Sequence, residues 1–411
     1  MTFTALHREL GLTPGPLTDQ MITQAVETGI QESGDLDWKR QLPPTSNLLA
    51  SDFPKDIAAM ANSGGGIIVY GVEESEKAAT SRRDVGELTE GHERSLRQVA
   101  VSAISPPVFG LEIHRLGDQA NRAVVIVVPA STEGPHLIYN KEYFGAPVRN
   151  DSDTVWLKER QIEAMYRARF EERRHATEAL DNLYAEASAG RPTHERAWVI
   201  MVACPRIPRV GSRPTEIQAR ELLRKAARDA RGHAPGGIHP LENVDVDNPR
   251  PGLRRWVAVN TATGERSRWK EAWATIHHDG SVTLAAAVGG FPARGPGDFA
   301  GSEVDSGAIE CAVADFLLLA HLNMASTPSR QYEVRAGVEW VGEGPLTILT
   351  ADASGYTYDG RSVPLHRYTP VETTVDVAAS DLHRQIHDLA RDCVNQGGIS
   401  NLRSIWAPDE D

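Results

Sequence analysis

Along this chain the spacing of apolar residues switches repeatedly between the three-to-four-residue rhythm of a helix and the alternating or continuous rhythm of a strand. Residues 18–29 predict a short helix, with Thr18 or Asp19 as its cap and Gly29 as its stop. Residues 35–42 predict a strand closed by Pro43-Pro44. Ser51 or Asp52 can cap the next helix, whose first turn tolerates Pro54 and whose Phe53, Ile57 and Met60 share one face. Gly64, Gly65 and Gly66 then release the chain into Ile67-Ile68-Val69-Tyr70, a run apolar enough for a central strand covered on both faces. A helix over 92–104, strands over 108–116 and 123–129, a turn and strand over 136–149, and a long charged helix over 158–187 complete the first half.

Residues 188–196, which include Gly190 and Pro192, predict a linker. Beyond it the pattern predicts a strand over 197–204, a helix over 214–231 and a long Gly/Pro-containing loop over 233–251. Strands follow over 256–260, 272–277 and 281–287, the last two joined by the turn His278-Asp279-Gly280. Residues 303–325 carry the most apolar helical pattern in the chain; a hairpin (331–341 with 345–350) and a helix over 377–395 follow. The expected architecture is α+β in two domains, 1–187 and 197–411, without internal repeats.

At 411 residues the chain exceeds one ordinary core, which agrees with two domains. Cys204, Cys311 and Cys393 lie far apart with no CxxC spacing, arguing against a disulfide framework or zinc knuckle and for a reducing cytoplasm. No basic segment followed by an apolar stretch opens the chain. The longest apolar runs, such as 312–322 with Asp315 and His321, read as too short to span a bilayer. A cytoplasmic protein with no membrane partner is therefore expected.

The net charge of −13 argues against indiscriminate coating of nucleic acid. The charge is uneven, however: residues 191–270 hold 16 Lys+Arg against 8 Asp+Glu. Within that segment Arg220, Arg224, Arg228 and Arg231 fall on one arc of the 214–231 helix, opposite Leu222, Leu223, Ala226, Ala227 and Ala230. Like charges spaced this way repel. A phosphate backbone, the acidic first domain, or salt bridges on a solvated face are the open choices for what compensates them. His383 and His387 stand i,i+4 beside Asp388, with no obvious third ligand for a metal. The glycine turn runs helix, glycines, strand, the reverse of a phosphate-binding loop, and reads as a helix C-cap.

The candidate chemistry lies in two segments, Glu32-Ser33-Gly34-Asp35-Leu36-Asp37-Trp38-Lys39 and the stretch from Ala58 to Glu74. Carboxylates from separate elements, with a lysine, are the materials of a Mg²⁺ or Mn²⁺ site that cuts phosphodiesters. If the strands bearing Asp37 and preceding Glu73 are neighbours, Glu32, Asp37 and Glu73 can converge at one sheet end. Strand alternation then sends Lys39 from the same face as Asp37. A solvated strand edge with a cross-strand ion pair is the plainer alternative.

In order and spacing these motifs resemble the AlbA-like domain of the Schlafen family over residues 15–170: Glu32-Ser33, Asp37-Trp38-Lys39, Ala59-Met60-Ala61-Asn62-Ser63-Gly64-Gly65, Gly71-Val72-Glu73, then Pro135-His136 and Phe144-Gly145-Ala146-Pro147-Val148-Arg149. The resemblance implies Glu32, Asp37 and Glu73 as metal ligands, with Glu74 as a substitute. It leaves Lys39 to stabilise the transition state and Arg149, with the arginine stripe, to hold phosphates. Asp37 stands where the family usually has Glu. The resemblance implies a nucleic-acid-binding protein, RNA in preference to DNA, with Mn²⁺- or Mg²⁺-dependent endoribonuclease activity, and a homodimer because only one such lobe is present. The alternative is a non-catalytic DNA- or RNA-binding regulatory module whose second domain senses a ligand or partner.

Overall fold

The structure, a computed structural model, describes residues 3–408 apart from 141–142, 210–212, 292–298, 325–326, 328–330, 352–356, 359–361 and 377–380. It is α+β, and its contacts divide it into two units, Met1–Arg173 and Arg174–Asp411.

In the first unit the order is α1 (Ala5–Glu9), α2 (Asp19–Thr28), β1 (Leu36–Lys39), α3 (Phe53–Asn62), β2 (Gly66–Tyr70), β3 (Val72–Ser75), β4 (Ala78–Arg82) and α4 (Glu90–Ser102). There follow β5 (Ile104–Ser105), β6 (Glu112–Leu116), β7 (Ala123–Val128), β8 (Leu137–Asn140), β9 (Tyr143–Gly145), β10 (Pro147–Asn150), β11 (Asp153–Trp156) and the start of α5 (Glu159–Ser188). A four-stranded sheet, ordered β1-β2-β7-β6, is the frame. β1 runs parallel to β2, and β7 is antiparallel to β2 and β6. β2 is apolar at every position because both sheet faces are covered. Ile68 and Tyr70 pack with Phe53, Ile57 and Met60 of α3, while Ile67 and Val69 pack with Met21 and Ile22 of α2.

The glycine turn stops α3 and admits the backbone to a crowded place. The Gly65 N–H donates to the Met60 carbonyl at 2.8 Å. Gly64 and Gly65 take φ of 96° and 89°. A Cβ on Gly65 would lie 2.7 Å from the Ala130 nitrogen and 2.8 Å from the Val128 oxygen. Gly65→Ala is therefore expected to cost about 1–3 kcal/mol, combining backbone strain with overpacking against atoms that cannot rotate away. Hydrogen exchange on peptides covering β2 and β7 checks it; unchanged protection there would show that the turn relaxes.

The second unit holds the end of α5, then β12 (Trp198–Pro205), α6 (Glu216–Asp229), β13 (Arg250–Gly252), β14 (Arg255–Ala258), β15 (Ala272–His277) and β16 (Val282–Ala287). β17 (Glu303–Asp305), α7 (Ser306–Met324), β18 (Gln331–Glu339), β19 (Thr347–Ala351), β20 (Thr357–Tyr358), β21 (Val371–Asp376) and α8 (Leu382–Asn395) complete it. Seven antiparallel strands are ordered β13-β14-β15-β16-β12-β18-β21. α7 fills the core on one face. Leu180, Leu183, Tyr184 and Ala187, from the end of α5, cover Trp198, Ile200 and Ala285 on the other.

Three expectations change here. The division between units falls inside α5 rather than at 188–196, because the last turns of that helix are needed to bury the outer face of the seven-stranded sheet. Residues 331–341 and 345–350 do not form a hairpin: β18 pairs β12 and β21, while β19 pairs β17 and β20. α7 is long and apolar enough to cross a membrane, with a mean hydropathy of 1.3, where the sequence read its apolar run as too short. Here it is the core helix of the unit, 83% of it buried. The helix expected from 377 is described from Leu382; its first expected residues lie outside the described ones.

Candidate functional site

The candidate site grows from strand alternation in β1. Leu36 and Trp38 point to the α2 side of the sheet and are buried there. Asp37 and Lys39 therefore project from the other face, toward α3. Asp37 is 2% exposed, and its Oδ2 lies 2.6 Å from Lys39 Nζ. The same ammonium lies 3.6 Å from Oδ2 of Asp56, a 3%-exposed carboxylate on α3. Lys55 in turn reaches Asp52 at 2.8 Å and Asp56 at 3.6 Å. Burial, the largest effect, pushes the Asp56 carboxyl up to about 6 against the pull of Lys39. Burial also works against the Lys39 charge, but Asp37 and Asp56 outweigh it and raise its pKa.

A second cation arrives from β10. The Asn62 amide donates to the carbonyls of His136 (2.9 Å) and Pro147 (2.8 Å), and its oxygen accepts from the His136 N–H (2.7 Å). Ser63 Oγ accepts the Arg149 N–H at 2.7 Å. The end of α3 thus pins β10 so that Arg149 Nη1 reaches Asp37 Oδ1 at 3.3 Å and Nη2 reaches the Ser33 carbonyl at 3.3 Å. The Arg149 side chain is 3% exposed. Expected to hold phosphates, it is instead spent on neutralising Asp37.

Glu32 sits at the rim, where its Oε1 accepts the Trp38 N–H at 3.0 Å. Burial pushes its carboxyl up to about 7, against that hydrogen bond, and the charges of Asp37 and Glu74 add to the rise. Glu73 is turned elsewhere. Arg83 lies 2.9 Å and Arg40 3.3 Å from its carboxylate, and Ser81 donates to it at 3.0 Å. The Arg83 hydrogen bond, chiefly, holds its pKa below the usual carboxylate range. Adjacent residues of β3 point to opposite faces, and a pairing irregularity separates Glu73 from Glu74. Glu74, not Glu73, is the one whose charge acts on Glu32.

The structure thus brings together Glu32, Asp37, Lys39 and Arg149, with Glu74 within electrostatic range, and leaves Glu73 out. Among the described residues no three His, Cys, Asp or Glu side chains come together in a way that could hold a metal ion. As folded, the trio Glu32, Asp37 and Glu73 does not fit a Mn²⁺ or Mg²⁺ ion. Two cations already occupy the oxygens of Asp37, and two arginines hold Glu73. Asp56 was missed by the sequence reading. Its signal was present: it is the one acid in Phe53-Pro54-Lys55-Asp56-Ile57-Ala58-Ala59-Met60-Ala61-Asn62, and it falls one turn from Phe53 and Met60 on their buried face.

Each arginine of the stripe has an acidic partner within its own unit. Arg220 pairs with Glu216 and Arg224 with Asp247, Arg228 with Asp229 at 2.8 Å and Arg231 with Glu242 at 2.5 Å. The two histidines of α8 also separate. His383 contacts the Trp406 carbonyl at 3.0 Å and stacks on His233, whereas His387 faces Asp388.

Residues 32–158 match the family model described as Schlafen, AlbA_2. No curated protein matches the chain. Among solved structures, the chain is similar to the N-terminal domain of a RecG-related protein from Nitrosomonas europaea, at 16% identity and a TM-score of 0.26, covering 35% of this chain and 94% of that one. It is also similar to the DIP2311 protein from Corynebacterium diphtheriae, at 15% identity and a TM-score of 0.25, covering 52% of this chain and 33% of that one. The strand that carries Asp37, the helix that ends at Asn62, β2 and the β10 strand that delivers Arg149 all lie within the matched segment: residues 32–158 are a Schlafen AlbA_2 domain.

Proposed function

We propose that the first unit is a nucleic-acid-binding module in which the buried acid–base network fixes the fold and exposed cations meet the phosphates. The observation that carries this reading is the state of Asp37: buried, with Lys39 and Arg149 on its two oxygens. An acid neutralised on both sides is a structural ion pair, and breaking such a pair is costly. The phosphate contacts fall to Arg40 and Arg83, whose side chains are 60% and 53% exposed and share the single carboxylate of Glu73. Two guanidinium groups against one carboxylate leave a net positive charge beside the network. Support for nucleic acid as the ligand class comes from the AlbA_2 domain and what that family resemblance implies. RNA in preference to DNA, and a homodimer as the binding unit, belong to the same proposal.

A second reading, metal-dependent cleavage of RNA, draws on Glu32: burial, with the charges of Asp37 and Glu74 adding, pushes its carboxyl up to about 7. One experiment separates the two. Labelled single-stranded RNA, single-stranded DNA and duplex are mixed with the full chain across a salt series, in Mn²⁺ or in EDTA. Wild type is compared with Glu32→Gln and Glu74→Gln, positions that reach solvent and spare the buried network. Salt-sensitive binding with intact product lanes in every arm is the expected result. Cutting in Mn²⁺ that drops at least a hundredfold in either variant would establish the nuclease instead. Absence of salt-sensitive binding would remove both readings.

A further inference from the structure

Away from the AlbA_2 domain, the outer face of the seven-stranded sheet carries a cavity of about 230 Å³. Its floor is a grid set by strand register. Arg255 lies opposite His277 and Val257 opposite Thr275 across β14 and β15, and Thr275 lies opposite Thr283 across β15 and β16. Trp273 continues the β15 row, and the last turns of α5, with Leu183, Glu186 and Ala187, form the wall. At that volume it is smaller than the clefts of about 300–1,000 Å³ that hold drug-sized ligands.

Its charges are unusual for a gap left by packing. Arg191 is half-buried, with its guanidinium carbon 4.0 Å from the Trp273 ring centre and 5.6 Å from that of Trp198. Among the described residues its side chain makes one hydrogen bond, from Nε to the Ala187 carbonyl at 3.3 Å, and no ion pair with a carboxylate. Burial pulls its pKa down, offset in part by the charge of Glu271. Arg255 pairs with Glu186 through Nη1, while its buried Nε has no hydrogen-bond partner. The Thr275 and Thr283 hydroxyls share a 2.6 Å hydrogen bond, and His277 Nε2 lies 3.1 Å from the Thr275 hydroxyl. Burial first, with Arg255 adding, holds His277 below its ordinary pKa, so it is neutral at pH 7. Two guanidiniums and one carboxylate leave the cavity one positive charge in excess, beside walls of Leu183, Ala187, Val257 and indole.

We infer that this cavity is a binding site for a small organic carboxylate with a flat or apolar body. The carboxylate would meet the free N–H groups of Arg191, the fork geometry that suits a planar anion. The body would lie against Val257, Leu183 and the edge of Trp273. A single excess charge favours a monoanion over phosphate, which carries nearly two. This assignment is independent of nucleic-acid binding, and it gives the second unit a ligand of its own.

Isothermal titration of the full chain with benzoate, benzamide and inorganic phosphate tests it. Benzoate is expected to bind one per chain, benzamide at least tenfold more weakly, and phosphate no better than benzamide. Arg191→Gln should weaken benzoate at least tenfold, with Arg191→Lys falling between the two. Should Arg191→Gln fail to fold, Val257→Phe decides the question: it fills the floor and leaves both arginines in place, so it too should remove benzoate binding. The assignment is overturned if benzoate shows no saturable heat up to about 10 mM, tenfold above a millimolar dissociation constant, which corresponds to about −4 kcal/mol. It is equally overturned if phosphate binds more tightly than benzoate, or if benzoate ignores both Arg191→Gln and Val257→Phe.

Discussion

Lys39→Met is expected to destabilise the first unit by about 3–5 kcal/mol at pH 8, and by far less at pH 5. The ammonium sits 2.6 Å from Asp37 and 3.6 Å from Asp56, and both carboxylates are covered. Without it, Asp37 retains Arg149 and Asp56 retains only Lys55, 3.6 Å away. The sign of the pH dependence follows from Asp56. Burial raises its carboxyl from the ordinary 3.8 to about 6. The folded state therefore holds that proton more tightly than the unfolded state does. Stability is complete below the unfolded value and is lost as pH climbs through the folded one, a difference of about 3 kcal/mol. Removing Lys39 pushes the folded value higher still, so the deficit opens between about pH 5 and pH 8. Hydrogen exchange on the full chain, corrected for intrinsic rates and read on peptides covering β1, α3 and β2, measures it. The double change Lys39→Met with Asp56→Asn should recover at least half the loss at pH 8, because it leaves one buried carboxylate with its arginine. A deficit independent of pH, or no recovery in the double variant, would mean that Lys39 acts through packing alone.

What the sequence made legible is what depends on near neighbours. Thr18 and Gly29 bracket α2 as expected, and Pro54 lies in the first turn of α3. The continuous run Ile67-Ile68-Val69-Tyr70 is a strand buried on both faces, because apolar continuity reports two-sided cover. The contact between Asp37 and Lys39 follows from period two alone. Misread features depend on distant partners. Asp247 and Glu242 lie 23 and 11 residues from the arginines they neutralise, so that half of the stripe looked unbalanced when read by itself. Glu216 and Asp229, by contrast, stand close in sequence to Arg220 and Arg228. Arg149 meets Asp37 across 112 residues, through a strand whose position is set by Asn62 and Ser63. The choice between Glu73 and Glu74 turned on which face of β3 each occupies and on Arg40 and Arg83, none of which local spacing specifies. A lone acid on an apolar helix face, as at Asp56, is the kind of signal that a search for recurring motifs passes over and a search for buried charge does not.

Arg40→Gln with Arg83→Gln is expected to weaken binding of single-stranded RNA by about ten- to hundredfold at low salt. It should also flatten the dependence of log affinity on log salt by about 1.4, the contribution of two phosphate contacts on a single strand. These side chains are more than half exposed, so the loss should come without unfolding. The same geometry gives Glu73→Gln the opposite sign. That carboxylate accepts from Arg83 and lies 3.3 Å from Arg40; neutralising it frees both guanidinium groups for phosphate. Affinity should rise about two- to fivefold, the scale of one exposed ion pair, and the salt slope should steepen. The nuclease reading, which rests on Glu32 and Glu74, expects no such gain in affinity from Glu73→Gln. Anisotropy titrations of the wild type, Glu73→Gln and the double arginine variant at three salt concentrations therefore order the three proteins. Tighter binding in the first variant and weaker binding in the second place the phosphates at this pair. Equal affinities with equal slopes would move the nucleic acid to another face of the unit.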